Sequence, residues 1–505
     1  MSFHLVNLAA KARQSVTAKI GTALALAFAS DFLLYDRTIG WNLAVFTWLF
    51  LPLLVLHNGT WLRGFQGKVI ITASLLMTLA FVEAPGLLAG SLVIAGAVAL
   101  ALPPNHAWPE SAAAWVKRLY ASVIQLPYRI VEDAYRLRRV KRHRPRPCFF
   151  KTQVRGWVLP IVLGAVFSLF LVQANPVIDS WFPEMDWWWF ISLLHPLRHV
   201  FWLVSLILFW AFLRPRLSKI QAAVQPPIAP KRAALSYGIE HFFSAEAVFR
   251  SLVLFNLIFL AQTFTDITYL WSGSALPEGL SYAGYAHRGA YPLIATALLA
   301  GAFTVIAFRD GGAAQKSKAI RYLVYLWIGQ NIFLTVNSIW RTLNYVEVYG
   351  LTYLRVAALI WMGLVASGLA LIIYRIARAR SETWLANANA VCLLAVLGIC
   401  SFLNFGGIVA DFNVRNSEEL GGAGQRVDLG YIEQIGPEAL PALQLYLRET
   451  SFRNPNRRLA EHLVKVLERD LLEATDNWRS WSFRRQRLLN SLQTQRRDDP
   501  QNNDE

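Results

Sequence analysis

Long apolar segments recur along most of this chain and limit what it can fold into. Between residues 20 and 410, runs of roughly 15–25 apolar residues alternate with short polar stretches, which is the length that crosses a ~30 Å hydrocarbon core. Backbone groups in lipid find no water, so each run must pair its own N–H and C=O groups as a helix. With 55% apolar and only 16% charged residues, the chain is predicted to be an all-α polytopic integral membrane protein.

About eleven transmembrane helices are predicted. Prolines mark some of their ends, because Pro103 and Pro104 follow one apolar run and Pro215 follows another, where a helix cannot continue. The predicted spans are residues 20–35, 41–56, 69–83, 86–102, 157–173, 188–213, 245–271, 290–308, 319–345, 351–374 and 384–410.

The net charge of +17 follows the predicted topology. With the N-terminus inside and the spans alternating, the inner segments hold 28 Lys and Arg, whereas the outer loops hold two, Arg37 and Arg288. An excess of basic residues on the cytoplasmic side sets the orientation of membrane proteins. The sequence therefore predicts an N-in, C-out protein whose basic loops face the cytoplasm, and it argues against a nucleic-acid partner.

Charge and hydropathy divide the chain into four predicted parts. Residues 1–102 form an N-terminal four-helix membrane block, and 103–156 form a basic cytoplasmic connector. Residues 157–410 form a seven-helix core membrane domain, and 411–505 form a small helical extracytoplasmic tail. The polar end of the tail, 493–505, is predicted to be disordered. Membrane lipids are the expected surroundings, and the tail is a candidate docking element for a protein partner.

One predicted span carries a polar stripe. Gln330, Asn337, Arg341 and Asn344 lie at i, i+7, i+11 and i+14, so at 100° per residue they share one helix face. Such a face avoids lipid and meets other helices or water. Two interpretations stay open: a hydrogen-bonded seam between helices, or the lining of a polar path.

Several segments bring ionisable groups to the predicted outer level of the membrane. Arginine suits an anion because its guanidinium forms paired contacts with phosphate or carboxylate. The alternative is a structural network in which the acidic residues simply neutralise the arginines. The candidate ligand-binding residues are Asp266, Tyr285, His287, Arg288, Arg341, Asn344, Glu347 and Arg355.

Other chemistry finds less support in the sequence. His195 and His199 are spaced i, i+4, but no third ligand accompanies them, so no metal site is predicted. No nucleotide-binding loop or nucleophile elbow occurs, and no cofactor is predicted. A catalytic residue is expected only if the protein is an enzyme, in which case His287 is the general base; a hydrogen-bonded hinge donor is the other interpretation of His287.

Three stretches resemble a known bacterial family of unknown function. The segments are "FNLIFLAQTFTDITYLW", "YAGYAHRGAYPLIATALLAGAF" and "NYVEVYGLTYLRVAALIWM", and "DLGYIEQIGPEALPAL" in the tail adds to them. They resemble the multi-pass membrane family named domain of unknown function 4173, over about residues 200–450. The resemblance implies a bacterial cytoplasmic (inner) membrane protein and transfers no activity or site residue.

Three functions therefore stay open. The first is binding or transport of an anionic ligand, a lipid-linked phosphate or an acidic solute, by the outer cluster. The second is a membrane enzyme that transfers a group at the outer leaflet, with the arginines stabilising developing negative charge. The third is a non-catalytic scaffold or sensor whose tail docks a partner.

Overall fold

The computed structural model describes residues 16–58, 65–101, 111–117, 119–120, 160, 196–213, 244–268, 296, 298–305 and 317–498. The regular elements in these ranges are helices. Two short 3-10 helices, Glu418–Leu420 and Pro437–Ala439, accompany the α-helices. The α-helices are α1 (Val16–Leu34), α2 (Trp41–Asn58), α3 (Phe65–Glu83), α4 (Leu87–Ala101), α5 (Pro196–Leu213), α6 (Ala245–Asp266), α7 (Lys318–Tyr349), α8 (Tyr353–Ala377), α9 (Glu382–Cys400), α10 (Phe405–Arg415), α11 (Leu429–Ile435), α12 (Leu440–Glu449), α13 (Arg457–Asp476) and α14 (Phe483–Asp498).

Four of the described helices, α6 to α9, are long and apolar enough to cross a membrane. Side-chain oxygens cap their N-termini; Thr352, for example, accepts a hydrogen bond from the Arg355 backbone N–H at 3.3 Å. Large apolar side chains stay exposed along them, such as Leu257 and Leu354. An apolar outer surface of this kind is what a helix facing lipid requires. The chain is thus a helical membrane protein.

Helices occupy nine of the eleven predicted spans over most of their length. Of the other two, the span 290–308 is helical over 298–305, and 157–173 lies almost wholly outside the described residues. The predicted last span, 384–410, is divided: α9 ends at Cys400, and α10 begins after Asn404, which accepts a hydrogen bond from the Gly407 N–H at 3.1 Å. The number of crossings and their orientation stay predictions.

Helix α5 packs with the N-terminal helices, although the sequence assigned it to the core membrane domain. Phe209 on α5 lies in one buried cluster with Phe46 and Phe50 of α2. The ring centroids of Phe209 and Phe46 are 5.6 Å apart. Helices α1 to α5 therefore form one group, which we call the N-terminal block.

Residues 405–498 form a compact helical unit, the C-terminal domain. Its amphipathic helix α13 buries a single stripe of residues, Ala460, Leu463, Leu467 and Leu471, while its other faces are rich in charge. The stripe shares a core with the fully buried Tyr446. The predicted boundary at residue 410 falls inside α10, because α10 packs in this core through Val409, Ala410 and Val414.

The C-terminal domain contacts both the N-terminal block and the long helices α7 and α8. On the N-terminal block, the Trp41 N–H donates to the Trp481 carbonyl at 2.7 Å, and Glu83 contacts Arg484 at 3.2 Å and Arg487 at 2.8 Å. Beside the α7–α8 turn, Val346 and Leu351 lie in the domain's apolar core. The helix ends reached by these contacts therefore lie on the same side of the two groups of helices.

The expectation of disorder from residue 493 is wrong for residues 493–498, since α14 is helical through Asp498. The polar composition of this segment suggested disorder, but Leu492 is buried and Leu488 and Leu489 pack against the domain core. These three leucines share one helix face and anchor the helix, whose remaining turn continues from an already formed end. Residues 499–505 lie outside the described residues.

Candidate functional site

A buried ion pair joins two of the long membrane helices. Asp266, the last residue of α6, is 0% exposed, and Arg341 on α7 is 4% exposed. Arg341 Nη2 donates to Asp266 Oδ1. Asn337 Nδ2 donates to the second carboxylate oxygen at 3.0 Å, and Gln262 Nε2 donates to Oδ1 at 3.0 Å. We call these four residues the Asp266 network.

The parallel packing of α6 and α7 brings the network together. Ten residues before Asp266, the Asn256 amide donates to the Leu323 carbonyl at 3.1 Å, and Gln330 Nε2 lies 3.4 Å from the Asn256 carbonyl oxygen. Contacts thus advance along both helices in the same direction. Gln262 and Asp266 are spaced i, i+4, as are Asn337 and Arg341, so each helix presents two members of the network on one face.

The predicted polar stripe is present over three of its four positions. Gln330, Asn337 and Arg341 all contact α6, which agrees with an interhelical hydrogen-bonded seam. Asn344 is exposed and does not continue the contact. The residue that the sequence interpretation missed is Asn256, and its signal is an amide in the middle of an otherwise apolar helix.

Arg355 and Glu347 lie apart from the Asp266 network. Arg355 Nη1 donates to the Tyr349 carbonyl at 2.8 Å and to the Gly350 carbonyl, so it caps the C-terminal end of α7. Its guanidinium carbon lies 4.6 Å from the centre of the Tyr345 ring. Glu347 is exposed, and its backbone carbonyl accepts from Asn416 in the C-terminal domain. The structure therefore separates the single predicted outer cluster into two places.

The three loop residues of the predicted cluster, Tyr285, His287 and Arg288, lie outside the described residues, and their membership in the site stays a prediction. His195 lies outside them as well. Within the described ranges, no group of three or more His, Cys, Asp or Glu side chains is placed to hold a metal ion.

A second ion pair lies in the N-terminal block. Arg198 on α5 donates through Nε to Asp31 Oδ1 at 2.8 Å and through Nη2 to Oδ2 at 2.5 Å, a two-pronged contact. The side chains are 12% and 4% exposed. Asp31 therefore holds Arg198 between α1 and α5, apart from the Asp266 network.

Two features define the class of this protein: apolar helices of membrane-spanning length, and a buried ion pair at which two of those helices meet. The chain belongs to the family described as Domain of unknown function (DUF4153), whose model matches residues 22–446. The resemblance to domain of unknown function 4173 is thus replaced by a different family, and the match begins within the first predicted span rather than near residue 200. No curated protein and no solved structure matches the chain.

Proposed function

We propose that this protein binds an anionic ligand at the Asp266 network and carries it across the membrane. The observation that carries the proposal is the buried ion pair between Asp266 and Arg341 on two parallel helices. A buried ion pair adds little net stability compared with apolar residues of similar size. Ligand binding gives such a pair a reason to exist that stability alone does not.

The ligand's anionic group would exchange with the Asp266 carboxylate on Arg341. Arginine presents a planar fork of donors that accepts phosphate, a ligand carboxylate or the Asp266 carboxylate in the same way. Exchange avoids placing two anions beside one guanidinium in a low-dielectric site. The Gln262 and Asn337 side-chain N–H groups, which already donate to Asp266, would hold the displaced carboxylate while the ligand takes its place on Arg341.

The orientation in this proposal is N-in with an extracytoplasmic C-terminal domain, in a bacterial inner membrane. This orientation is supported because the contacts of the C-terminal domain agree with the distribution of Lys and Arg along the sequence. The turns and helix ends that touch the C-terminal domain, near Trp41, Glu83 and Gly350, are those that the charge distribution assigns to the outer side. The ligand site would then open toward the outer face. Group transfer at the outer leaflet depends on His287, and no contact among the described residues favours it.

Replacing Asp266 by Asn tests the exchange. Asparagine keeps the shape of the side chain and removes its charge, so it should bind the anion more tightly than wild type at neutral pH. Arg341→Gln should lose binding, because it removes the guanidinium of the network.

The measurement is thermal stabilisation of the purified protein by inorganic phosphate and by succinate at neutral pH. Asp411→Asn is the matched control, since Asp411 forms an exposed i, i+4 pair with Arg415 outside the network. An affinity for Asp266→Asn that equals that of wild type would count decisively against the exchange.

A further inference from the structure

A cavity of about 270 Å³ lies where the α7–α8 turn meets the C-terminal domain. Tyr349 and Arg355 line it from the membrane helices, and Asn416, Arg426 and Tyr431 line it from the C-terminal domain. We call it the junction pocket. It is separate from the Asp266 network, because Arg341 lies eight residues before the end of α7, about 12 Å along the helix axis.

Hydrogen bonds across the junction hold the walls of this pocket in place. The Asn413 side chain accepts from the Leu351 N–H at 2.5 Å and donates to the Leu351 carbonyl at 2.9 Å, so it pairs with the turn as another backbone would. The Gln425 N–H donates to the Val348 carbonyl at 3.1 Å. A pocket held in this way binds its ligand without a further cost of ordering the walls.

Arg355 keeps donors available in the pocket. Its Nη1 is used by the Tyr349 and Gly350 carbonyls, and the Tyr345 ring stacks on the guanidinium. Its Nε and Nη2 make no hydrogen bond to any residue that the structure describes. Arginine held by backbone carbonyls keeps its full positive charge, because carbonyls do not neutralise it.

Arg426 faces the same space from the C-terminal domain. Its Nε lies 3.4 Å from Glu418 Oε2, in a pair whose side chains are 69% and 63% exposed, and solvent weakens such a contact. The carboxylate that lines the pocket is Asp428, whose Oδ1 accepts from the Tyr431 N–H at 3.0 Å. The carboxylates of Glu418 and Glu419 also contact lining residues, Glu418 beside Arg426 and Glu419 at 3.2 Å from the Val427 N–H. Arg355 forms no ion pair within the part of the chain that the structure describes, so its guanidinium is the positive charge that the pocket offers to an anion.

We infer that the junction pocket binds a phosphate group presented at the membrane surface. Paired guanidinium donors match phosphate oxygens, and phenols such as Tyr349 and Tyr431 add neutral donors. The volume lies just below the roughly 300–1,000 Å³ of sites for drug-sized ligands, so the pocket suits a headgroup rather than a whole lipid. The phosphate is carried either by a lipid headgroup or by a small soluble phosphate ester, and the inference does not depend on the function proposed for the Asp266 network.

The test compares the full-length protein in nanodiscs of phosphatidylcholine with nanodiscs that also contain phosphatidylglycerol, and with phosphatidylcholine nanodiscs supplied with glycerol phosphate. Thermal stability is the readout. Stabilisation by phosphatidylglycerol alone identifies a lipid headgroup, and stabilisation by glycerol phosphate alone identifies a soluble ester. Stabilisation by neither overturns the inference.

Arg426→Gln is the decisive variant, because the Arg426 side chain is exposed and pairs with an equally exposed Glu418, so we expect the fold to stay intact. Arg426→Gln should lower the affinity for the phosphate group roughly tenfold or more, the effect of losing one charge-assisted contact. The same stabilisation should then require a correspondingly higher content of phosphatidylglycerol or concentration of glycerol phosphate. Arg355→Gln should do the same, although it also removes the cap of α7. Arg415→Gln, an exposed arginine on α10 that does not line the pocket, should respond like wild type. Equal responses in Arg426→Gln and wild type would refute the assignment.

Discussion

Replacing Arg341 by Met should destabilise the membrane core by about 3–5 kcal/mol, the usual cost of leaving one partner of a buried ion pair without the other. Asp266 would stay 0% exposed with its charge uncompensated, and the amides of Gln262 and Asn337 cannot replace a guanidinium. The double variant Asp266→Leu/Arg341→Met should recover most of the loss, because both charges are then absent. Unfolding of the purified protein by denaturant, followed by tryptophan fluorescence, measures both values.

The exposed pair of Arg415 and Asp411 provides the control for this prediction, since Arg415→Met should change stability by less than about 1 kcal/mol. A double variant as unstable as Arg341→Met would show that the pair itself stabilises the fold. The case for a ligand at this pair would then lose its energetic basis.

Replacing Gly40 by Ala should separate the C-terminal domain from the N-terminal block. A Cβ at Gly40 would lie 2.4 Å from the Ser480 carbonyl carbon and 2.5 Å from its oxygen, and backbone atoms cannot turn aside as a flexible side chain can. We expect a cost of about 1–3 kcal/mol, as for other overpacked contacts. The hydrogen bonds from Trp41 N–H to the Trp481 carbonyl and from Asn42 N–H to the Arg479 carbonyl should open.

Hydrogen exchange in peptides that contain Trp41 and Trp481 measures this opening. Gly90→Ala is the matched control, because nothing lies within 4 Å of the Cβ that it adds on α4. Both peptides should exchange faster in Gly40→Ala and at the wild-type rate in Gly90→Ala. Unchanged exchange in Gly40→Ala would mean that the C-terminal domain does not pack closely against Gly40.

Hydropathy was sufficient to predict the helices, because an apolar run of membrane-spanning length has few alternatives to a helix. It could not separate α9 from α10, since both are apolar and only the packing of Val409 and Val414 in the C-terminal core distinguishes them. Nor could it place α5, because Phe209 suits any apolar partner equally well. Helix-to-helix contacts depend on shape, and hydropathy carries little of that information.

The candidate site was predictable in part. The spacing of Gln330, Asn337 and Arg341 placed them on one face, and pairing of Asp266 with an arginine was one of two open interpretations. The sequence could not show that Arg355 binds backbone carbonyls at the end of α7, since a carbonyl is present at every residue. For the same reason, the sequence could not predict the contacts of Asn413 and Asn416 with the α7–α8 turn. These side-chain amides bond to backbone groups, so no complementary side chain indicates their partners.

The displacement of the Asp266 carboxylate from Arg341 during ligand binding is the most direct test of the proposed exchange. Infrared difference spectra should be recorded as phosphate or succinate, whichever stabilises the wild type, is added to the protein in lipid. We predict that the carboxylate stretching band shifts in wild type as Asp266 leaves Arg341, and that this change is absent in Asp266→Asn. Anion binding that requires Arg341 and leaves the Asp266 carboxylate band unchanged would contradict the account.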